Sequence, residues 1–389
     1  YMKLIQSNII KRTDKRYKEI IDLCHRSKNL YNASLYEIRR QYFNDKKYLP
    51  YARLDKYFKE TNNIDYRSLP SQTAQQTMRM VDQNFKSFFK SVKKEGCKAK
   101  IPHYKDKNGV YIVIFTSQQI SKKSLKNGVI KIPGLECTFK TQLSSINQIR
   151  FIPQTGCIKM EIVYEIEDVN EFDDNGIYMG VDLGINNLAT ITSNNGLCEI
   201  VNGKPLKSIN QYYNKKKAKY QSINKKIDKL TFKRNNKVND YLHKASRYIM
   251  NQAVSNKINT IIVGLNKGWK QDINMGAINN QKFVTIPHSR FINMLKYKCK
   301  MEGIRFIVRE ESYTSKASFL NFDYIPNIKE NKNHIFSGKR IKRGLYVSDK
   351  GMINADVNGS LNILRKEIGD DSFPTDIGFV FNPRRINIF

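Results

Sequence analysis

Two short stretches hold carboxylates in settings where an acid can do chemistry. The first is Gly180-Val181-Asp182-Leu183-Gly184-Ile185-Asn186-Asn187-Leu188-Ala189-Thr190. A hydrophobic strand delivers Asp182, a glycine-bearing turn follows, and a second strand resumes at once. The second is Asn354-Ala355-Asp356-Val357-Asn358-Gly359-Ser360-Leu361-Asn362-Ile363-Leu364. Val357, Leu361 and Leu364 recur at helical spacing, so Asp356 starts an apolar-faced helix. Its small neighbours Ala355 and Ser360 let such a helix approach a charged centre closely. The plain structural role of either acid would be a turn or an N-cap.

Carboxylate oxygens are hard donors and suit Mg²⁺. No softer donor set competes. The five histidines are scattered, and the six cysteines (Cys24, Cys97, Cys137, Cys157, Cys198 and Cys299) are nowhere closer than 20 residues. Neither a His-based zinc signature nor a C-x-x-C knuckle is written, and ordinary reduced thiols are expected. An all-carboxylate site with two Mg²⁺ ions about 4 Å apart would serve phosphodiester hydrolysis, activating water and stabilising the leaving oxygen.

The charge balance supports a phosphate-bearing partner. Lys plus Arg number 68 against 35 Asp plus Glu, a net charge of +33 over 389 residues. Such an excess repels itself unless a polyanion neutralises it. Nucleic acid is the first choice and an anionic membrane surface the second. Hydrophobic residues make up 40% and aromatics 11%, enough for two or three domains with cores and too much for disorder. No run approaches about 18 apolar residues, so no membrane span is expected. Tyr1-Met2-Lys3-Leu4 lacks an apolar leader, and Tyr1 reads as a remnant ahead of the natural start.

The elements that must position these acids follow from periodicity. Lys3 to Ile10 reads as a strand. Residues 14–92 are helical, most clearly after Pro70, where Ser71 can cap and Ala74, Met78, Val81, Phe85, Phe88 and Val92 make one apolar face. Gly109 to Phe115, Gly128 to Pro133 and Cys157 to Tyr164 are short β-type runs that suggest a small barrel. An acidic linker, Glu165 to Gly176, follows. Then strands at Ile177–Val181, Leu188–Ile191, Thr260–Val263 and Ile304–Val308 alternate with helices, which points to a sheet with helices on its faces. Pro287 and Gly303 bracket the last of these helices. From Lys204 to Arg247 there are 14 Lys or Arg against Asp228 and Asp240 only. That segment reads as two antiparallel helices breaking near Lys233–Asn236, with cationic faces that touch nucleic acid rather than water alone.

The two acidic stretches have company. Lys267-Gly268-Trp269-Lys270-Gln271, Asn280-Gln281-Lys282-Phe283, Ile286-Pro287-His288 and Tyr313-Thr314-Ser315-Lys316 complete a set. The set resembles the transposon-encoded TnpB (OrfB) family of RNA-guided nucleases, related to the compact type V CRISPR effectors. The likeness is strong over 176–365 and weaker over 1–175. It implies a multidomain chain: a RuvC/RNase H-like α/β nuclease domain, preceded by a β-barrel that a helical recognition insertion interrupts. The ranges would be 2–13 for the first barrel strand, 14–93 for the insertion and 94–175 for the rest of the barrel and the linker. The nuclease domain would span 176–365, with the basic hairpin at 204–257 and a degenerate zinc-ribbon region at 317–350, and the tail would be 366–389.

Two departures from the family stand out. Many members end the strand matching Ile261-Ile262-Val263 with a glutamate, the second metal ligand; here Gly264 stands there, and no acid follows until Asp272. Many also carry paired cysteine knuckles before the third motif; between Tyr313 and Asp356 there is none. No zinc is therefore expected. The next strand ends in Arg309-Glu310-Glu311, and C-terminal strand ends in a parallel sheet gather at one edge. Alternation sends the two acids to opposite faces, so one points in. Glu311, before the Ser312-Tyr313-Thr314-Ser315 turn, is the choice, with Glu310 the fallback.

The resemblance thus implies a guide-RNA-dependent DNA endonuclease, with Asp182, Glu311 and Asp356 as catalytic and metal-ligating residues. The alternative, raised by Gly264, is a nuclease-inactive RNA-guided DNA-binding repressor. A strand-transferring transposase without a guide would need neither +33 charges nor a heteroduplex channel. The expected partners are a transposon-derived guide RNA and target double-stranded DNA, in a prokaryotic cytoplasm near the nucleoid, with monomer and dimer both open. The nucleic-acid contacts are expected at Lys98, Lys100, Lys215, Lys216, Lys217, Lys219, Lys225, Lys226, Lys233, Arg234, Lys244, Arg247, Lys339 and Arg340.

Overall fold

The computed structural model describes residues 1–94, 99–266, 286–327, 334–342 and 344–388. Lys98 and the stretches 267–271 and 280–283 therefore lie outside the described residues. The chain divides into two compact units, Tyr1–Glu167 and Asp168–Phe389, with the division inside the acidic linker.

In the first unit, β1 (Met2–Lys11) is followed by helices Tyr17–Asp45, Tyr51–Glu60, Ile64–Arg67 and Ser71–Val92. Then come β2 (Val113–Thr116), helix Lys122–Lys126, a ribbon of β3 (Val129–Ile130) and β4 (Phe139–Lys140), β5 (Gln148–Gln154) and β6 (Cys157–Ile166). The strands form an antiparallel sheet in the order β1-β6-β5-β2. Among the described residues these pairings do not close into a barrel. Helices occupy the interruption between β1 and β2, and both share one core, in which Ile20, Leu30 and Phe85 join Phe115 and Phe151.

The Ser71–Val92 helix shows why the stripe was readable. Ala74, Met78, Val81 and Phe85 are fully buried, and a fully buried side chain of Met or Phe size contributes about 2 kcal/mol. The stripe stops short of its expected end, with Val92 54% exposed. Pro70 takes the N-cap position and no side chain caps, so Ser71 is the first helical residue rather than the cap.

In the second unit, β7 (Tyr178–Leu183), β8 (Asn187–Ser193) and β9 (Cys198–Asn202) form an antiparallel meander. β10 (Thr260–Gly264) joins β7 in parallel, β11 (Arg305–Arg309) joins β10 in parallel, and β15 (Arg384–Ile386) joins β9 in parallel. The sheet order is β11-β10-β7-β8-β9-β15. A separate antiparallel sheet of β12 (Gly338–Lys342), β13 (Leu345–Ser348) and β14 (Gly351–Ile353) occupies the region read as a degenerate ribbon.

Helices Lys204–Ser222, Asp228–Ser255, His288–Met301 and Ala355–Ile368 complete the unit. The break in the basic hairpin falls at 223–227, earlier than Lys233–Asn236. Asn224 turns the chain there with φ +49, a left-handed conformation that Asn tolerates well. Lys233 to Asn236 lie inside the second helix. Among the described residues no helix is long and apolar enough to cross a membrane, and the described cysteines are free thiols.

Candidate active site

Asp182 sits one residue from the end of β7, directly opposite Thr190 on β8. Asp356 is the second residue of the Ala355–Ile368 helix. Asn354 caps that helix, its side chain accepting from the backbone N–H of Asp356 at 2.9 Å and of Val357 at 3.3 Å. The capping role thus falls to Asn354, and the Asp356 carboxylate takes no part in it. The helix lies close on the hairpin through small residues. Ser360 Oγ is 3.0 Å from the Gly180 carbonyl and 3.1 Å from that of Thr190. A Cβ on Gly359 would come within 2.9 Å of Asp182 Oδ2, so a side chain there would push that carboxylate aside.

Glu311 stands two residues past the end of β11. Its N–H donates to Asn266 Oδ1 at 3.2 Å, and Thr314 Oγ1 donates to its carbonyl at 2.8 Å. Asn266 follows β10 by two residues, so the neighbouring strand end fixes the Glu311 backbone. A Cβ built on Gly264 would lie 2.8 Å from Glu311 Oε2. Glu310 has a different task. Its Oε2 accepts from the Lys366 ammonium at 2.7 Å, and Lys366 also donates to the Ser312 carbonyl at 3.1 Å.

Asp182, Glu311 and Asp356 line one cavity of about 550 Å³. Its rim also carries Lys204, Arg340 and Arg385. Burial pushes the Asp182 carboxyl well above its ordinary value, and the charges of Asp356 and then Glu311 push it further. The Glu311 carboxyl is pushed up to about 7, by burial first and by Glu310 second. Asp356 is held by protein donors. Asn187 Nδ2 donates to its Oδ2 at 2.6 Å, and the Arg340 guanidinium lies 3.4 Å from its Oδ1.

Among the described residues, no three acidic, His or Cys groups form a ready-made metal cage. The donor set nevertheless fits a hard divalent cation. A buried carboxylate whose proton affinity two neighbouring carboxylates raise, as Asp182 is, is in want of positive charge.

The structure places the other candidates unevenly. Lys100, Lys215, Lys219, Lys225, Lys226, Lys233 and Lys339 are exposed, and Lys216 and Lys217 partly so. Arg234 donates to Asn210 across the hairpin at 2.7 Å and ties its helices together. Lys244 pairs with Asp240 at 3.0 Å and Arg247 with Glu302 at 3.1 Å. Arg340 belongs to the acidic cavity. Sequence reasoning gave no role to Asn187, Thr190, Asn266 or Arg385. Thr190 lines the cavity with a buried hydroxyl that has no hydrogen-bond partner among the described residues. The Asn187 signal lay inside the quoted motif; the other three needed tertiary contacts.

Comparison with known proteins gives matches in sequence and in structure. Residues 161–270 match the OrfB_IS605 probable transposase family model, and residues 288–363 match the TNB domain model of the Cas12f1-like family. No curated protein matches the chain. Among solved structures, a cryo-EM Cas12f1–sgRNA–target DNA complex matches at 16% identity and TM-score 0.38, covering 92% of this chain and 98% of that one. A cryo-EM CRISPR-Cas12f ternary complex matches at 16% identity and TM-score 0.39, covering 89% and 82%. On its two sequence matches the chain is a TnpB-like protein, related to the compact type V effectors.

Proposed function

We propose that this TnpB-like protein is an RNA-guided DNA endonuclease of a transposable element, cutting target DNA beside a short adjacent motif. The observation that carries the reading is the position of Glu311. Its carboxylate reaches the space that a side chain on Gly264 would enter, in the cavity that also holds Asp182 and Asp356.

Asp182, Glu311 and Asp356 would hold two Mg²⁺ ions, which activate water and stabilise the leaving oxygen. The chain's own groups prepare that centre. Asn266 fixes the Glu311 backbone, Asn187 orients Asp356, and Gly359 keeps space beside Asp182. Lys204, Arg340 and Arg385 give the same cavity three cations for the phosphate being cut. No zinc is assigned a role. The exposed lysines of the hairpin would bind the backbones of guide RNA and target, while base pairing supplies sequence. The helices between β1 and β2, with their sheet, would contact the target duplex and the heteroduplex.

One observation favours the second reading, an RNA-guided DNA-binding repressor that does not cut. Both Asp356 oxygens face protein donors, Asn187 and Arg340. The deciding experiment purifies the protein from cells, sequences the RNA that comes with it, and assays cleavage with that RNA and Mg²⁺. Cutting that Asp182→Ala and Asp356→Ala each abolish, with guided DNA binding retained, supports the nuclease. Unchanged cutting in either variant would remove the site assignment. Guided binding by a wild type that never cuts would establish the repressor.

A further inference from the structure

The second unit has a cleft that, among the described residues, shares none with the acidic cavity. It belongs to the other face of the sheet. On β10, Ile262 shares a core with Ile363 and Leu364 of the Ala355–Ile368 helix. Its neighbours Ile261 and Val263 share one with Leu242 and Ile249 of the Asp228–Ser255 helix, and with Phe291 and Leu295 of the His288–Met301 helix. Those last two helices wall the cleft. Lys244, Arg247, Tyr248 and Asn251 line it from the first, and Tyr297 and Lys298 from the second. Its volume is about 620 Å³, the size of a small-molecule site.

The three cations differ in their surroundings. Lys244 is paired with Asp240 at 3.0 Å and Arg247 with Glu302 at 3.1 Å. Lys298 is 4% exposed. Among the described residues its ammonium donates only to neutral oxygens, Ser246 Oγ at 2.6 Å and the His243 carbonyl at 3.0 Å. An ammonium carries three donors, so one is left over. A lysine that merely filled space between helices would carry its charge out to water. A buried charge without a counter-ion is costly, and burial, then the Arg247 charge, push this pKa down to about 8. An anion in the cleft would remove that cost.

We propose that the cleft binds a small phosphate monoester, a free mononucleotide in size and chemistry, with its phosphate on Lys298 and its organic part along Tyr248 and Tyr297. Tyr248 is a fixed wall, because its hydroxyl donates to the buried Glu199 carboxylate at 2.7 Å. Aromatic walls around a few convergent polar groups suit such a ligand. The depth of Lys298 selects the kind of phosphate. A phosphodiester inside a strand carries a sugar on each side and is kept from a buried ammonium, whereas a terminal phosphate reaches it. The exposed cations of the cleft already have carboxylate partners, so they offer a strand's backbone little. The proposal does not depend on what the acidic cavity does.

The test uses the full chain, freed of nucleic acid and kept in EDTA so that the acidic cavity recruits no metal. Calorimetry follows its titration with adenosine monophosphate, with adenosine and with the diester adenylyl-adenosine. Wild type should saturate with the monophosphate and bind it about tenfold more tightly than either of the others, the scale of one charge-assisted hydrogen bond. Lys298→Met keeps the stem and removes the charge, and should erase that preference. Lys215→Ala, on the exposed basic hairpin, should leave it unchanged. Absence of saturable binding to wild type overturns the proposal, and so does a diester that binds as tightly as the monoester. Both of these are read on wild type and stand whatever the variants' stability. A preference that survives Lys298→Met, or that Lys215→Ala reduces equally, overturns it too, since either marks general attraction to a basic surface. Failure to cut DNA bears on the nuclease reading and not on this one.

Discussion

Glu311 Oε2 lies 2.8 Å from the point where a Cβ on Gly264 would stand. The two positions terminate neighbouring parallel strands, with Gly264 opposite Arg309 and Glu311 two residues further on. A side chain on one strand end and the carboxylate of the other compete for a single volume. The loss of an acid at 264 and the presence of one at 311 are therefore geometrically linked. Glu310, on the opposite face, is tied to Lys366. We expect Glu311→Gln to eliminate cleavage at physiological Mg²⁺ and Glu310→Gln to keep most of it. Full activity in Glu311→Gln would refute the relocated ligand, and a reversed pattern would place it one residue earlier.

The crowding at Gly264 has its own consequence. A Cβ there would also come within 2.9 Å of Ile363 Cγ1, so Gly264→Ala should destabilise the fold by about 1–3 kcal/mol through overpacking. Ile363→Val removes the outermost methyl of that side chain. Gly264→Ala should then cost less in the Ile363→Val background than in wild type, as read by urea denaturation. Strict additivity of the two changes would mean that the backbone yields elsewhere.

Much of this site was legible because it rests on local rules. The Asp182 hairpin follows from apolar runs around a glycine-bearing turn, and the Asp356 helix from spacing. Strand alternation lets only one of Glu310 and Glu311 point in, and the place of Glu311 before the Ser312–Ser315 turn favours it, once the resemblance marks the gap at Gly264. What escaped depends on distant partners or on breaks that leave periodicity intact. Ile223 and Ile227 carry the apolar pattern across the turn at Asn224, so the helix break looked later than it is. β15 has three residues, and its partner β9 lies far back in the chain. Nothing local announces that pairing or puts Arg385 in the cavity. Arg340 looked like a phosphate contact on charge alone, and only folding brings it to Asp356.

The basic hairpin gives a salt-dependent test. Lys215, Lys216, Lys217 and Lys219 cluster near the end of the Lys204–Ser222 helix, and Lys216 lies over the Tyr212 ring at 5.8 Å. Each phosphate neutralised releases roughly 0.7–0.9 counterion, so log K falls with log salt in proportion to the contacts made. Replacing the four by Ala should flatten that slope for guide RNA. An unaltered slope would return the segment to an ordinary solvated face.

Lys298 supplies a pH test away from the active site. Its ammonium is buried, donating to Ser246 Oγ at 2.6 Å and to the His243 carbonyl at 3.0 Å. Burial first, and the Arg247 charge second, push its pKa down from 10.5 to about 8. Between those values the unfolded chain keeps a proton that the folded chain has released. The unfolded state then binds more protons, so stability rises with pH across that window. Below it both states are charged, and the cost of burying the ammonium is felt in full. The facing His243 imidazole is held below its usual 6.5, by burial and then by Lys298, and titrates outside the window. Lys298→Met removes the titration. The wild-type free energy of unfolding, minus that of the variant, should be flat from about pH 7 to 8, above the range in which His243 titrates. It should then climb by on the order of 2–3 kcal/mol towards pH 10.5. Parallel curves for the two proteins at pH 7, 8.5 and 10 would show that Lys298 keeps its ordinary pKa in the folded chain.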